Sequence, residues 1–385
     1  MAIATTARIG SVSAPLIRAE RHASHLQLVL SYYTGKWDCS GDIQGAVPRH
    51  EEPMRAWLMD SVKGVESLRL GEVADPQPGP GQLLLRVRMA ALNPADAFLA
   101  EGMYPAHPPL PHILGRDGVG DVLAVGPGVD NPRVGETVGI LRCNVGVERW
   151  GTLAEEVVVP MESVSRVPDG WSLEEMAGAP LVFLTAWQAL TQWSNPPVPP
   201  PAGSVLLVTG ASGGVGVASV LLGKSMGFTV VALSRSGEKR TRLKSLGADF
   251  VFDPADGKLV EAAKAAINPK RVNLVVDSVG GELFSRVIAL LDSGGHISVV
   301  GRSGGTVPQF NTASLLFRRI RIGGVSVGDF SAQAARVAWK EIVGRLDAMG
   351  QRPQVDSVVP FGEVKRGFAR LAQGPLGKVL VRVAG

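Results

Sequence analysis

The segment VLLVTGASGGVGVASVLLGKSMG at 205–227 constrains this chain more than any other. A short apolar run enters a turn holding Gly210, Gly213, Gly214 and Gly216, and a helical pattern leaves it. Four further apolar runs, TVVAL, FVF, LVVDS and HISVV, then alternate with helical segments as far as about residue 300. Parallel strands need a crossover long enough to return the chain to the same edge, and a helix supplies it. The alternation therefore predicts a parallel sheet with helices on both faces.

The same turn is a candidate dinucleotide site. Ala211, Gly213 and Gly216 stand at the G-x-G-x-x-G positions, with alanine at the first. Gly213 lets backbone approach a pyrophosphate, Gly216 lets helix and strand pack closely, and Gly214 and Val215 open a helix whose first amides can donate to an anion. A glycine triplet alone is more often a plain turn; its place between strand and helix decides for the dinucleotide.

The next strand should name the cofactor. A site for NAD wants an acid about 20 residues on, to take the ribose hydroxyls. Here the strand ends in Ser234 and Arg235, with Lys239 and Arg240 one helical turn later. A 2′-phosphate carries up to about two negative charges, which Arg meets with charge-assisted hydrogen bonds, so NADPH is the expected cofactor. The alternative is that Arg235 is a solvated surface residue.

The rest of the chain sets the frame. Its 385 residues suit two domains, and 47 Gly with 27 Pro describe a globular protein rich in turns. A net charge of +4 is too mild to imply nucleic-acid or membrane partners. Cys39 and Cys143 cannot build a disulfide framework or a four-cysteine zinc lobe. No run approaches a membrane span and the start lacks a secretory pattern, so the expected location is cytoplasmic. Residues 1–53 carry no clear period and are expected to be poorly ordered, as a mis-assigned start, a transit sequence or a genuine arm; five acids argue against transit.

From Met54 to about Pro168 short apolar runs broken by Pro and Gly predict a β module. SLEEMAG running into LVFLTAWQALTQW predicts helix, with Ser172 and Glu175 spaced as a capping box. NPPVPPP at 195–201 is a connector, RIRIGGVSV at 319–327 an edge strand, 331–349 a long helix and KVLVRV a closing strand.

GASGGVG followed by LKSLGAD, with AALNPADAFLAEGMYP and LPHILGRDGVGDVLAVGPGV upstream, resembles the zinc-free quinone oxidoreductase (zeta-crystallin-like) branch of the medium-chain dehydrogenase/reductase superfamily, over 54–385. The resemblance implies an α/β protein: a GroES-like β-rich domain at 54–178 and 327–385 around a doubly wound Rossmann domain at 179–326, with the active site between them. It also implies a homodimer paired through 319–327. Zinc-dependent members place Cys where this chain has Asn93, and His-Glu where it has Arg116 and Asp117, so no catalytic metal is expected. His107 and His112 bracket a Pro-rich loop that cannot set both rings on one helical face.

Without a Lewis acid, hydride transfer is easiest to an acceptor already activated by conjugation. A quinone or other α,β-unsaturated carbonyl compound is the expected substrate, an enoyl thioester the alternative, and a non-catalytic NADPH-binding protein the alternative of another class. The resemblance makes Tyr104 the proton donor, since a free phenol is protonated near neutral pH; a structural Tyr is the alternative. It puts Asn93 and Thr185 beside the nicotinamide, although N-P also starts turns and Thr185 could be a helix-interior residue. Ser278, Gly280 and Gly301 end later strands, where a cofactor crosses the sheet. Lys378 resembles a late GK element near the cofactor, with an exposed lysine as the alternative.

Overall fold

The computed structural model describes residues 53–195 and 197–384; the expectation for the N-terminal extension lies outside them. The β-rich layer is built from β1 (Met54–Met59), β2 (Arg69–Val73), β3 (Gln82–Ala91), β4 (His112–Ile113), β5 (Asp117–Val125), β6 (Thr137–Ile140), β7 (Glu156–Pro160) and β8 (Val164–Arg166). β3 is the spine. β5 runs antiparallel along one of its edges, while the other edge is shared by β7 at Gln82–Arg86 and by the C-terminal strand at Met89–Ala91.

The parallel layer holds β9 (Val205–Val208), β10 (Thr229–Leu233), β11 (Phe250–Phe252), β12 (Val272–Asp277), β13 (Leu291–Val299) and β14 (Arg321–Gly324). Their order is β11-β10-β9-β12-β13-β14, every pair parallel. Chain direction across the sheet reverses between β10 and β12, which flank β9, so a crevice opens beyond the C-terminal ends of β9 and β12. All four residues of β9 are buried, the mark of a strand covered on both faces. β14 lies at the sheet edge, where the apolar pattern of 319–327 places a strand.

The chain then returns to the β layer as β15 (Val355–Pro360) and β16 (Lys378–Arg382), which join the sheet beside β3.

Two expectations change. The helical run from Ser172 is two helices, Leu173–Gly178 and Pro180–Thr191, because Pro180 has no N–H to continue the first. Ser172 caps the first as expected: its Oγ accepts from the Glu175 amide at 3.1 Å, and its own amide donates to Glu175 Oε2 at 2.7 Å.

The second change concerns helix Ala332–Ala348, whose sequence falls in the segment 327–385. Its buried face, Ala335, Ala338, Trp339, Ile342 and Leu346, packs against helices Pro180–Thr191 and Gly214–Ser225 of the parallel layer. Apolar periodicity shows that a helix buries one stripe, not which layer receives it.

Asp356 on β15 anchors the return. Its Oδ1 accepts from the Leu376 amide at 2.8 Å and from Arg370 Nη2 at 2.6 Å, and its Oδ2 from Arg370 Nε at 2.8 Å. Burial works to raise this carboxyl's pKa, but the Leu376 amide and the Arg370 guanidinium together hold it below the usual carboxylate range. A depressed carboxylate contributes stability that is present above its unfolded pKa of about 4 and lost as pH falls through the lower folded value. Asp356→Asn should therefore lower the thermal midpoint at pH 7, and the gap to the unmodified protein should narrow below about pH 4 in thermal melts across pH.

Candidate active site

The Gly-rich turn has the shape a pyrophosphate needs. Gly210 takes the left-handed backbone at φ 55°, one residue before the first fingerprint position, so Ala211 is tolerated there. A Cβ at Gly216 would lie 2.4 Å from the Gly210 carbonyl oxygen, which makes glycine obligatory where helix meets turn. A Cβ at Gly213 would meet nothing closer than 3.4 Å, so the side not occupied by protein is open. Helix Gly214–Ser225 starts its bonding with Val217 N to Gly213 O at 2.8 Å, which leaves the amides of Gly214, Val215 and Gly216 directed at an external acceptor. Gly213 to Val215 are partly accessible. The residues present fit a dinucleotide.

The neighbouring strand end is set by an acid that sequence reading missed. Asp277 is fully buried and accepts from the amides of Val279 and Gly280 and from the Thr209 hydroxyl, folding DSVGG back towards the Gly-rich turn. Ser278 N donates in turn to Thr209 Oγ1 at 3.0 Å. Gly280 has φ 67°, and a Cβ on Gly301 would sit 2.8 Å from the Ser278 carbonyl oxygen. Ser278, Gly280 and Gly301 are thus brought together, and Ser278 Oγ is buried without a partner among the described residues.

At the end of β10, Ser234 is buried and Arg235 exposed. The cations nearby divide into one that is available and two that are used. Arg240 Nη1 donates to the carbonyls of Ser234 (2.8 Å) and Arg235 (3.0 Å) and to Asp253 Oδ2 (2.9 Å), and Lys239 Nζ donates to the Gly374 carbonyl. Arg235 makes no side-chain hydrogen bond or ion pair among the described residues.

Opposite this surface, Lys378 is buried at 4 % exposure, which removes the exposed-lysine alternative. Its Nζ donates to Asn93 Oδ1 at 2.6 Å and to Asp117 Oδ2 at 3.1 Å, while Asn93 Nδ2 donates to Asp117 Oδ2 at 3.3 Å and to the Ala91 carbonyl at 3.2 Å. Asp117 Oδ1 also accepts from the Leu181 amide. Burial pushes the Asp117 carboxyl above its ordinary range, with Lys378 and Asn93 pulling the other way.

The loop before Lys378 touches the Gly-rich turn itself. Gly377 N donates to Ser212 O at 2.9 Å, and a Cβ on Gly214 would be 3.1 Å from Lys378 Cδ. Thr185 is partly buried and spends its hydroxyl on the Leu181 carbonyl at 2.7 Å within its own helix.

Tyr104 is joined to the same cluster through two residues that sequence reading did not assign to the site. The Asn93 amide donates to Asp96 Oδ2 at 2.9 Å, Asp96 Oδ1 accepts from Arg116 Nε at 3.1 Å, and Arg116 Nη1 donates to the Tyr104 hydroxyl oxygen at 3.2 Å. The Arg116 guanidinium also lies 4.9 Å from the Tyr104 ring centroid. Arg302, next to Gly301, reaches the Met103 carbonyl at 2.7 Å, tying the parallel layer to the residue before Tyr104. His112 is buried, and burial lowers its pKa, whereas His107 is exposed. Among the described residues no three His, Cys, Asp or Glu side chains gather as a metal site would require.

Comparison with known proteins identifies the family and the fold. The Alcohol dehydrogenase GroES-like domain family matches residues 79–169, and the Zinc-binding dehydrogenase family matches 214–344. The human synaptic vesicle membrane protein VAT-1 homolog is 31% identical over 351 residues, 85% of this chain and 86% of that one. This chain belongs to the medium-chain dehydrogenase/reductase superfamily.

Quinone oxidoreductase-like protein 2 of Mus musculus is another relative of this dehydrogenase/reductase, 28% identical over 90% of this chain and 95% of its own. Solved structures give the same fold. An NAD-dependent alcohol dehydrogenase matches with a TM-score of 0.75 at 32% identity, over 86% of this chain and 100% of that one. A mycobacterial protein complexed with NADPH matches at 0.76 and 27%, with the same coverages. The dehydrogenase/reductase described here is an oxidoreductase of this superfamily with a GroES-like and a Rossmann part, and no helix among its described residues is long and apolar enough to cross a membrane.

The Lys378–Asp117 pair should dominate local stability. Removing one partner of a buried pair strands the other charge, at a cost of about 3–5 kcal/mol. Lys378→Met should lose that much in chemical denaturation, and adding Asp117→Asn should recover part of it.

Proposed function

We propose that this oxidoreductase uses NADPH to reduce a quinone or another α,β-unsaturated carbonyl compound without a metal. The observation that carries the reading is the contrast at the end of β10: Arg235 is exposed and makes no side-chain hydrogen bond or ion pair among the described residues, Lys239 and Arg240 are tied to protein groups, and the nearby carboxylate, Asp253, is already paired with Arg240. The donor set supports a reaction without a metal. Asn93 and Arg116 stand where zinc members of the family carry ligands, and Asn93 already spends its amide on Lys378 and Asp117 while Arg116 spends its guanidinium on Asp96 and Tyr104.

When bound, the cofactor supplies hydride to the conjugated acceptor. The Gly-rich turn and the first amides of helix Gly214–Ser225 hold its diphosphate, Arg235 takes the 2′-phosphate, and Ser278, Gly280 and Gly301 support its passage over the sheet. Lys378, Asn93 and Thr185 stand on its nicotinamide side, Lys378 and Asn93 through the cluster they share with Asp117. The Tyr104 hydroxyl gives a proton to the substrate oxygen as charge develops there. The compartment is proposed to be the cytoplasm.

Turnover tests the reading first: NADPH oxidation is expected with quinones or enones, and oxidation only with enoyl thioesters would replace the substrate class. The phosphate assignment has its own test. Charge-assisted hydrogen bonds contribute about 1.5–3 kcal/mol, and about 1.4 kcal/mol is tenfold. Arg235→Ala should raise the NADPH dissociation constant about ten- to a hundredfold and leave NADH nearly unchanged. Equal weakening of both cofactors would remove Arg235 from the site.

A homodimer is also proposed. β14 presents an unpaired edge, with Leu316 and Phe317 exposed at 71 % and 80 % on the preceding helix and Ile322 on the strand itself, an apolar surface suited to a second copy. Sedimentation at micromolar concentration should give the dimer mass; a monomer there rejects it.

A further inference from the structure

Arg116 carries a buried charge beside Tyr104, and none of its contacts is with the residues assigned to the dinucleotide. It is 8 % exposed, and a buried guanidinium costs free energy unless its donors are met. Only part of it is met. Nε pairs with Asp96 and Nη1 with the Tyr104 hydroxyl, while Nη2 is buried with no partner among the described residues. If neutralising charge were its whole task, Asp96 would suffice and Tyr104 could point anywhere.

Instead the guanidinium holds Tyr104 twice, by the 3.2 Å hydrogen bond to its oxygen and by lying 4.9 Å from its ring centroid. Arg116 is in turn fixed from behind by Asp96, which also accepts from the Asn93 amide at the start of the short helix Pro94–Ala100. A rigid relay therefore runs from Asn93 through Asp96 and Arg116 to the phenol.

We propose that Arg116 is the positioning residue for proton delivery, aiming the Tyr104 hydroxyl at the substrate oxygen and supplying a fixed cation beside it where zinc members of the superfamily place a metal ligand. This rests on the reading of Tyr104 as the proton donor. After hydride has reached the acceptor, its oxygen carries the negative charge. The Tyr104 O–H bond then breaks, the proton passes to that oxygen, and the bonding pair stays on the Tyr104 oxygen beside Arg116 Nη1. Solvent returns the proton. Arg116 keeps all its own protons, and its charge lowers the cost of the negative charge as it moves from substrate to phenol.

The test is a double-mutant cycle on the full-length protein, with kcat, KM and the binding of 4-nitrophenolate as a stable stand-in for the anionic product. Arg116→Lys keeps a cation but loses the planar fork. It should lower kcat about tenfold with the acceptor KM little changed, weaken 4-nitrophenolate binding by a similar factor, and leave NADPH binding as it was. In a Tyr104→Phe background the same substitution should cost almost nothing in either measurement. Arg116→Gln, which loses the cation as well as the fork, should be slower than Arg116→Lys; if the lysine variant does not fold, the glutamine variant should still lose more beside Tyr104 than in the Tyr104→Phe background. Equal losses in both backgrounds, or no loss in either, overturn the positioning role. If Tyr104→Phe itself leaves kcat unchanged with every acceptor, the proton-donor reading fails and this inference falls with it. If Tyr104→Phe slows turnover while Arg116→Lys does not, only this inference falls.

Discussion

The buried contact of Lys378 with Asp117 and Asn93 is the constraint on which the rest of the site depends. Lys378 opens the last strand, Asp117 opens β5 and Asn93 follows β3, so one ammonium joins the three strands at the middle of the β-rich sheet. The same residue presses its aliphatic stem on Gly214, and the loop before it bonds to Ser212. The β layer and the cofactor turn of the parallel layer are therefore held by one side chain. A charge in so dry a place is tolerated because two oxygens receive it at hydrogen-bond distance.

A second relay lies beside the first. Asn93 belongs to both: its side chain meets Lys378 and Asp117, and its backbone amide meets Asp96, which passes the constraint to Arg116 and Tyr104. In zinc-dependent members of the superfamily this neighbourhood is organised by a metal ion. Here an amide, two carboxylates, an ammonium and a guanidinium do the organising. Arg302 closes the arrangement by reaching the Met103 carbonyl from the far layer.

The cofactor surface follows a different logic, because its groups must be left unsatisfied by the protein. The amides at the start of helix Gly214–Ser225 and the exposed Arg235 are donors that the described residues leave free, which is why we propose them for the cofactor, whereas Lys239 and Arg240 lie within a few residues and are consumed in holding the loop. Three cations that look equivalent in SRSGEKR thus have three different surroundings.

The sequence by itself determined the parallel sheet, the turn at 210–216, the edge strand near 321 and the break imposed by NPPVPPP, because these rest on local rules: apolar period, glycine geometry and the missing proline N–H. It also brought Ser278, Gly280 and Gly301 into view as strand ends. Tertiary structure alone decided that Lys378 is buried, that helix Ala332–Ala348 packs on the parallel layer, and that Asp96, Arg116, Asp277 and Arg302 bond to the candidate site residues or their neighbours. Lys378 and Asn93 are 285 residues apart, and no local pattern marks which lysine will find a carboxylate across such a distance. Burial and partner choice are properties of the packed chain, while turn and period are properties of a few neighbouring residues.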